Sequence, residues 1–211
     1  MLAFAIDAAW ADRGEQQRLD QLTSSLVADV LETQQAIRDR TVWAEDVVSG
    51  SRRILLGIAD GATGPALDSL VFKIGNVFVK GRWAPINHTY EQALGSGDLA
   101  LIEDPGLRLL LGRYSESLDN VGYVQSSVVT QYYGELEPYM VAHTAYAQVA
   151  WDTQAAGLVQ GNFSTDAASL ASQREFTNLL NLKLELELEM IHALVIVFDL
   201  SDELIAMLGE S

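Results

Sequence analysis

The last part of the chain is the feature that most constrains the fold. From Asp166 to about Leu208 the sequence contains no glycine or proline and is rich in leucine, glutamate and alanine, which favour helix. Within this stretch, Leu182–Glu189 alternates leucine with charged residues, a period of two that is typical of a half-buried strand. Leucine and glutamate are poor strand formers, and no partner strand is evident. We therefore predict one long helix.

A second long helix is predicted near the other end of the chain. Between Glu15 and Ile58 apolar residues recur at helical intervals, namely Leu19, Leu22, Leu26, Val30, Ile37, Ala44, Val47 and Ile54. Glycine, proline and asparagine divide the middle of the chain into shorter helical stretches, with the clearest loop over 157–165. Helices of this kind bury their apolar stripes against one another. The predicted fold is all-α, an elongated helical bundle with two long terminal helices and shorter helices between them, in a single domain, 1–211.

Composition limits the functions that this fold can serve. Apolar residues make up 49% of the 211 residues, which is ample material for a core. The formal net charge of −16 repels phosphate backbones, so we expect no nucleic-acid partner. The absence of cysteine excludes disulfides, thiolate metal sites and a cysteine nucleophile.

The first residues of the sequence resemble the end of a membrane helix. Leu2–Ile6 is apolar, and Trp10 stands where an aromatic ring at a membrane interface is favoured. We therefore predict that residues 1–14 continue an N-terminal membrane helix, with Phe4, Ile6 and Trp10 closest to the membrane. An ordinary apolar helix start is the alternative interpretation.

A tyrosine-rich segment between 132 and 151 is the candidate binding surface. Tyr132, Tyr139 and Tyr146 are spaced by sevens, and Tyr133 and Trp151 lie close by in the sequence. Aromatic side chains at helical spacing are usually core residues whose polar ends find a partner, and that is the simpler interpretation. The alternative is a groove for a protein or a small ligand, which requires several exposed rings or a large apolar pocket beside them.

The strongest hint of chemistry is Glu189-Met190-Ile191-His192. A carboxylate and an imidazole one helical turn apart are found in di-iron bundles, which need two such motifs and two further inward glutamates. This sequence contains one such motif, since Met140 stands three residues before His143. We therefore predict no catalytic residue, no metal ligand and no cofactor. A bundle metalloenzyme using Glu189 and His192 is the alternative.

Two segments together resemble a known family. Leu2–Arg13 resembles the end of the N-terminal membrane helix, and the polar turn after it, in an uncharacterised family of bacterial single-span proteins with a helical extracytoplasmic domain. Thr89–Ile102 resembles the mid-domain segment of that family, with Thr-Tyr, leucine, serine, glycine and isoleucine in that order. The resemblance implies a membrane-tethered domain of unknown activity and carries over no catalytic residue.

These features together predict a non-enzymatic domain. We expect it at the bacterial inner membrane on the periplasmic side, as an interaction, sensing or accessory (scaffold) subunit. Its expected partners are the membrane, through the N-terminal helix, and other protein subunits or further copies of itself. A respiratory or photosynthetic complex is one setting for such a subunit.

Overall fold

A computed structural model shows a helical protein. It describes residues 2–83, 86–150 and 157–209, and side chains from residue 13 onward within those ranges. No β-strand occurs in these ranges, and the predicted all-α fold with two long terminal helices is confirmed. The long helices are α1 (Leu2–Ala59), at the beginning of the chain, and α8 (Arg174–Gly209), near its end. The period-two stretch Leu182–Glu189 lies within α8, as predicted.

Shorter helices lie between the two long ones. They are α2 (Gly64–Val71), α3 (His88–Ser96), α4 (Pro105–Gln131), α5 (Glu137–His143), α6 (Tyr146–Val149) and α7 (Ala167–Ala171). Short 3₁₀ turns occupy Ile74–Asn76 and Asp98–Leu101. A π-helical turn, Tyr132–Leu136, joins α4 to α5.

Local sequence signals account for several of these boundaries. Pro65 stands in the first turn of α2, where its missing N–H costs no helical hydrogen bond. Gly97 ends α3 with φ +84°, a left-handed conformation that glycine adopts without strain. Before α7, the Asp166 carboxylate accepts a hydrogen bond from the Ser169 backbone N–H at 3.0 Å.

The chain divides into two compact units that each combine distant segments. Unit 1 comprises Met1–Asp39, Ala84–Asn120 and Ala193–Ser211, and unit 2 comprises Arg40–Trp83 and Val121–His192. In unit 1 the Gln34 amide donates to Asp202 at 2.7 Å. The core of unit 2 includes Phe78 and Phe176, whose ring centroids lie 6.3 Å apart in an edge-on arrangement. The assignment of residues 1–211 to one domain stays a prediction.

The N-terminal prediction falls largely outside what the structure describes. Phe4, Ile6 and Trp10 belong to the range of α1, but their side chains lie outside the described residues. Among the described residues, no helix combines the length and the apolar character needed to cross a bilayer.

Candidate functional site

The predicted tyrosine surface is divided between the interior and the outside of unit 2. Tyr132 and Tyr139 are buried, Tyr146 is half-buried and Tyr133 is exposed. Trp151 lies outside the described residues. Spacing by sevens therefore placed Tyr132 and Tyr139 on an inward face, and the five residues do not form one exposed aromatic face within the described part of the chain.

The buried tyrosines each find a polar partner. The Tyr139 hydroxyl donates to Gln173 Oε1 at 2.8 Å, and its ring stacks on His143 with a centroid distance of 4.5 Å. Burial, reinforced by the Glu175 carboxylate, raises the pKa of Tyr139 to about 12. Burial also raises the pKa of Tyr132 above its ordinary value. Both hydroxyls are therefore neutral donors at physiological pH.

Tyr133 interacts with a neighbouring cation. Its ring packs edge-on against Tyr132 with a centroid distance of 5.1 Å, and Lys80 Nζ lies 3.8 Å from the Tyr133 ring centroid. At this distance the ammonium is attracted by the negative face of the ring. One face of the exposed Tyr133 ring is thus already covered by Lys80.

A more open surface lies where α5 and α6 meet the loop before α7. It surrounds a cleft of about 620 Å³ that is lined by residues 141–147, 158–161 and 163–164. Four large apolar side chains are exposed there, and we call them the apolar loop surface: Val141 (64% exposed), Leu158 (42%), Val159 (92%) and Phe163 (85%). Among the described residues of the predicted tyrosine surface, Tyr146 is the one that also lines this cleft.

Hydrogen bonds hold this loop against the helices. Thr165 is buried; its hydroxyl accepts from the Ala145 N–H at 2.9 Å, and its own N–H donates to Gln148 Oε1 at 2.8 Å. The Thr144 hydroxyl donates to the Met140 carbonyl at 2.6 Å, where α5 ends. Leu158, Val159 and Phe163 are thus presented by a loop that is fastened to α6 and the residue before it through Thr165.

The apolar loop surface also lacks charge. None of the described residues that line its cleft is Asp, Glu, Lys or Arg, although the chain as a whole carries a formal charge of −16. Large exposed apolar side chains grouped together usually mark an interaction site, and charge is depleted at the centre of protein interfaces.

Unit 2 also encloses a buried charged network that the sequence analysis missed. Arg40 Nη2 donates to Glu187 Oε2 at 2.9 Å, and Lys183 Nζ donates to Glu187 Oε1 at 2.7 Å. Lys183 also donates to the Val79 carbonyl at 2.7 Å. Burial lowers the pKa of Lys183, while the Glu187 carboxylate opposes that shift. All three charged side chains are almost completely inaccessible, so in this structure they pair with one another and offer no exposed group to a substrate.

The Arg40 guanidinium is enclosed on two sides. Its Cζ lies 4.6 Å from the Trp43 ring centroid, a cation–π distance, and the backbone at Gly81 approaches it closely. A Cβ added at Gly81 would lie 2.8 Å from Arg40 Nε and 2.9 Å from Trp43 Cζ3. Only glycine at position 81 therefore lets the backbone pass this close to the Arg40 and Trp43 side chains.

We expect Gly81→Ala to lower the free energy of unfolding by about 1–3 kcal/mol, the usual cost of overpacking a filled site. Arg40 cannot move away freely because Glu187 holds it. The matched control is Gly122→Ala in α4, where an added Cβ meets nothing within 4 Å and alanine should stabilise the helix by about 0.5–1 kcal/mol. Urea unfolding followed by circular dichroism compares them, and equal effects would contradict the proposed contact.

The residues of the metalloenzyme alternative do not face inward. Glu189 and His192 are both exposed on α8, whereas the inward residues of the same turns are Glu187, Met190 and Ala193. Across the described ranges, no three residues of the His, Cys, Asp and Glu types come together as metal ligands. The carboxylate–imidazole pair thus lacks the surroundings that a di-iron site requires.

Comparisons with known protein families, with curated proteins and with solved structures give no match to this chain. The resemblance to the single-span bacterial family therefore stays a prediction.

Proposed function

We propose that this protein is a non-enzymatic interaction domain that acts as an accessory or scaffold subunit and contacts a partner protein through the apolar loop surface. The observation that carries the proposal is the grouping of Val141, Leu158, Val159 and Phe163, all exposed, around a cleft whose described lining contains no Asp, Glu, Lys or Arg. In water this grouping leaves unfavourable apolar area exposed, and a partner that covers it gains the corresponding free energy.

The charge distribution supports a protein partner at this surface. The chain as a whole is strongly acidic and repels other acidic macromolecules, whereas the described residues of the cleft lining contribute no carboxylate to that repulsion. Phe163 and Tyr146 add aromatic area, which is enriched at interface centres. Docking at this site is therefore not opposed by carboxylates among the described residues of the cleft.

Quantitative co-purification from the native cells tests the proposal. The double variant Val159→Ser/Phe163→Ser should lose its specific partner by about tenfold or more, because removing central apolar anchors commonly costs over 1 kcal/mol each. The matched control is Val42→Ser/Leu56→Ser, which removes exposed apolar side chains of α1 away from the cleft. Equal partner recovery with both double variants would overturn the proposal.

We further propose that the domain is tethered to the bacterial inner membrane and faces the periplasm. The apolar sequence Leu2–Ile6 followed by Trp10 supports this proposal, as the interfacial preference of tryptophan predicts. After native cells are broken and washed with alkaline carbonate, the protein should remain in the membrane fraction. Its release as fully soluble material would contradict the tether and leave the partner proposal standing.

A further inference from the structure

A second surface of unit 2 is a groove between α4, the π-helical turn and α8. Two depressions of about 430 Å³ and 530 Å³ adjoin there, since Glu135 and Leu182 line both of them. On the α4 side the lining includes Ser126, Ser127 and Thr130, short side chains that leave the groove open. We call this the α4–α8 groove.

The middle of the α4–α8 groove is apolar. Leu182 and Leu186 line it from successive turns of α8, and Leu179 adds a buried side chain at one end. Tyr123 lines the α4 side and is 71% exposed. The groove therefore presents apolar positions along the direction of a helix, the arrangement that receives the apolar face of an amphipathic helix.

The charges of the groove favour a cationic occupant. Two carboxylates, Glu135 and Glu175, line the groove. Arg174 is the one cation among its described lining residues. Glu185 and Glu189 are exposed farther along α8. Between Arg113 and Arg174 the sequence contains no lysine or arginine, so α4 beyond Arg113 and the π-helical turn add no positive charge to this side. Complementary charge on a partner would speed association and fix its orientation.

Gln131 adds an independent observation. Its side chain lines the groove, and the residue is only 6% exposed. Neither its Oε1 nor its Nε2 has a hydrogen-bond partner. Buried amides are normally paired, and leaving one unpaired costs free energy. A small rotation of this amide towards the groove would let it pair with a polar group of an occupant.

We propose that the α4–α8 groove binds a basic amphipathic helix of a partner protein, with the apolar face of that helix on Leu182, Leu186 and Tyr123 and its cationic flank beside Glu135 and Glu175. This assignment rests on the proposed interaction function and adds a second contact, separate from the apolar loop surface.

A synthetic helix tests this assignment without knowledge of the partner. The probe is a fluorescent peptide of leucine and lysine with leucine on one face, and its comparison peptide has the same composition with the leucines scattered. Fluorescence anisotropy should show tighter binding of the patterned peptide to the full-length protein. Equal binding of the two peptides would overturn the proposal, because overall charge would then explain the association.

Matched variants locate the peptide. Tyr123→Ser/Leu182→Ser should weaken binding about tenfold, and Glu135→Lys/Glu175→Lys should weaken it by a similar factor. The control for charge is Glu32→Lys/Glu45→Lys, which changes net charge equally at exposed positions of α1 and should have a much smaller effect. If the two charge-reversed proteins lose affinity equally, the groove is not the binding site.

Two further measurements distinguish failure of the groove proposal from failure of the apolar loop surface proposal. Tyr123→Ser alone, at an exposed position, should weaken binding several-fold and serves if the double variant does not fold; no change with this variant would contradict the proposal. Val159→Ser/Phe163→Ser should bind the peptide as the unmodified protein does. Equal binding of the patterned and scattered peptides therefore refutes the groove alone. Equal partner recovery with Val159→Ser/Phe163→Ser and with its α1 control refutes the apolar loop surface alone.

Discussion

Replacing Glu187 by alanine should lower the free energy of unfolding by about 3–5 kcal/mol. Glu187 is fully buried and accepts hydrogen bonds from both Arg40 and Lys183. Its removal leaves two cations in a low-dielectric interior without a counter-charge, and Arg40 already has Nε and Nη1 buried without a partner. Urea unfolding followed by circular dichroism measures the effect.

Two companion proteins identify the cause of this loss. Glu185→Ala, at an exposed position two residues earlier on α8, should change stability by less than about 0.5 kcal/mol. The triple variant Arg40→Met/Lys183→Met/Glu187→Leu replaces every charge of the network by an apolar group and should recover most of the stability. A Glu187→Ala protein as stable as Glu185→Ala would show that the network is not a buried ionic cluster.

Replacing Phe176 by alanine should also cost about 3–5 kcal/mol, because it opens a cavity in the core of unit 2. The Phe176 ring is fully buried and lies 6.3 Å from the Phe78 centroid and 6.2 Å from the Tyr139 centroid. The measurement is again urea unfolding, with the near-ultraviolet circular dichroism of the aromatic side chains as a second probe.

Phe163→Ala is the matched control for the loss of stability expected from Phe176→Ala. Phe163 is 85% exposed in the loop before α7, so its truncation should change stability by less than about 0.5 kcal/mol while weakening the partner contact. If both phenylalanine variants lost stability equally, Phe163 would be a packing residue and the apolar loop surface would lose its central member.

Helical periodicity predicted α1 and helix-favouring composition predicted α8, because both signals depend on local sequence. In α1 the residues Leu22, Leu26, Val30 and Ile37 recur on one face, and all four are buried. The same logic, applied to α8 as a helix, places Lys183 and Glu187 on the buried face with Leu180, Met190 and Leu194. The alternation of leucine with charged residues suggested a strand and drew attention away from this helical face. The spacing of four residues between Lys183 and Glu187 was the sequence signal for their ion pair.

The candidate site could be predicted only in part. Tyr146 belongs to the tyrosine pattern and lines the cleft of the apolar loop surface, but Val159 and Phe163 stand in an irregular loop where no periodicity indicates burial. Their exposure depends on how Thr165 fastens the loop to Ala145 and Gln148, contacts between residues far apart in sequence. Arg40 likewise meets Glu187 across most of the chain.

Site-specific photo-crosslinking from position 163 is the most direct test of the interaction function. A photoreactive phenylalanine analogue placed there in native cells should form a discrete crosslink to one partner protein, and Val159→Ser should weaken it. The same analogue at position 56, an exposed position of α1, should give no such product. Absence of a crosslink at 163, or the same product from 56, would contradict a partner on the apolar loop surface.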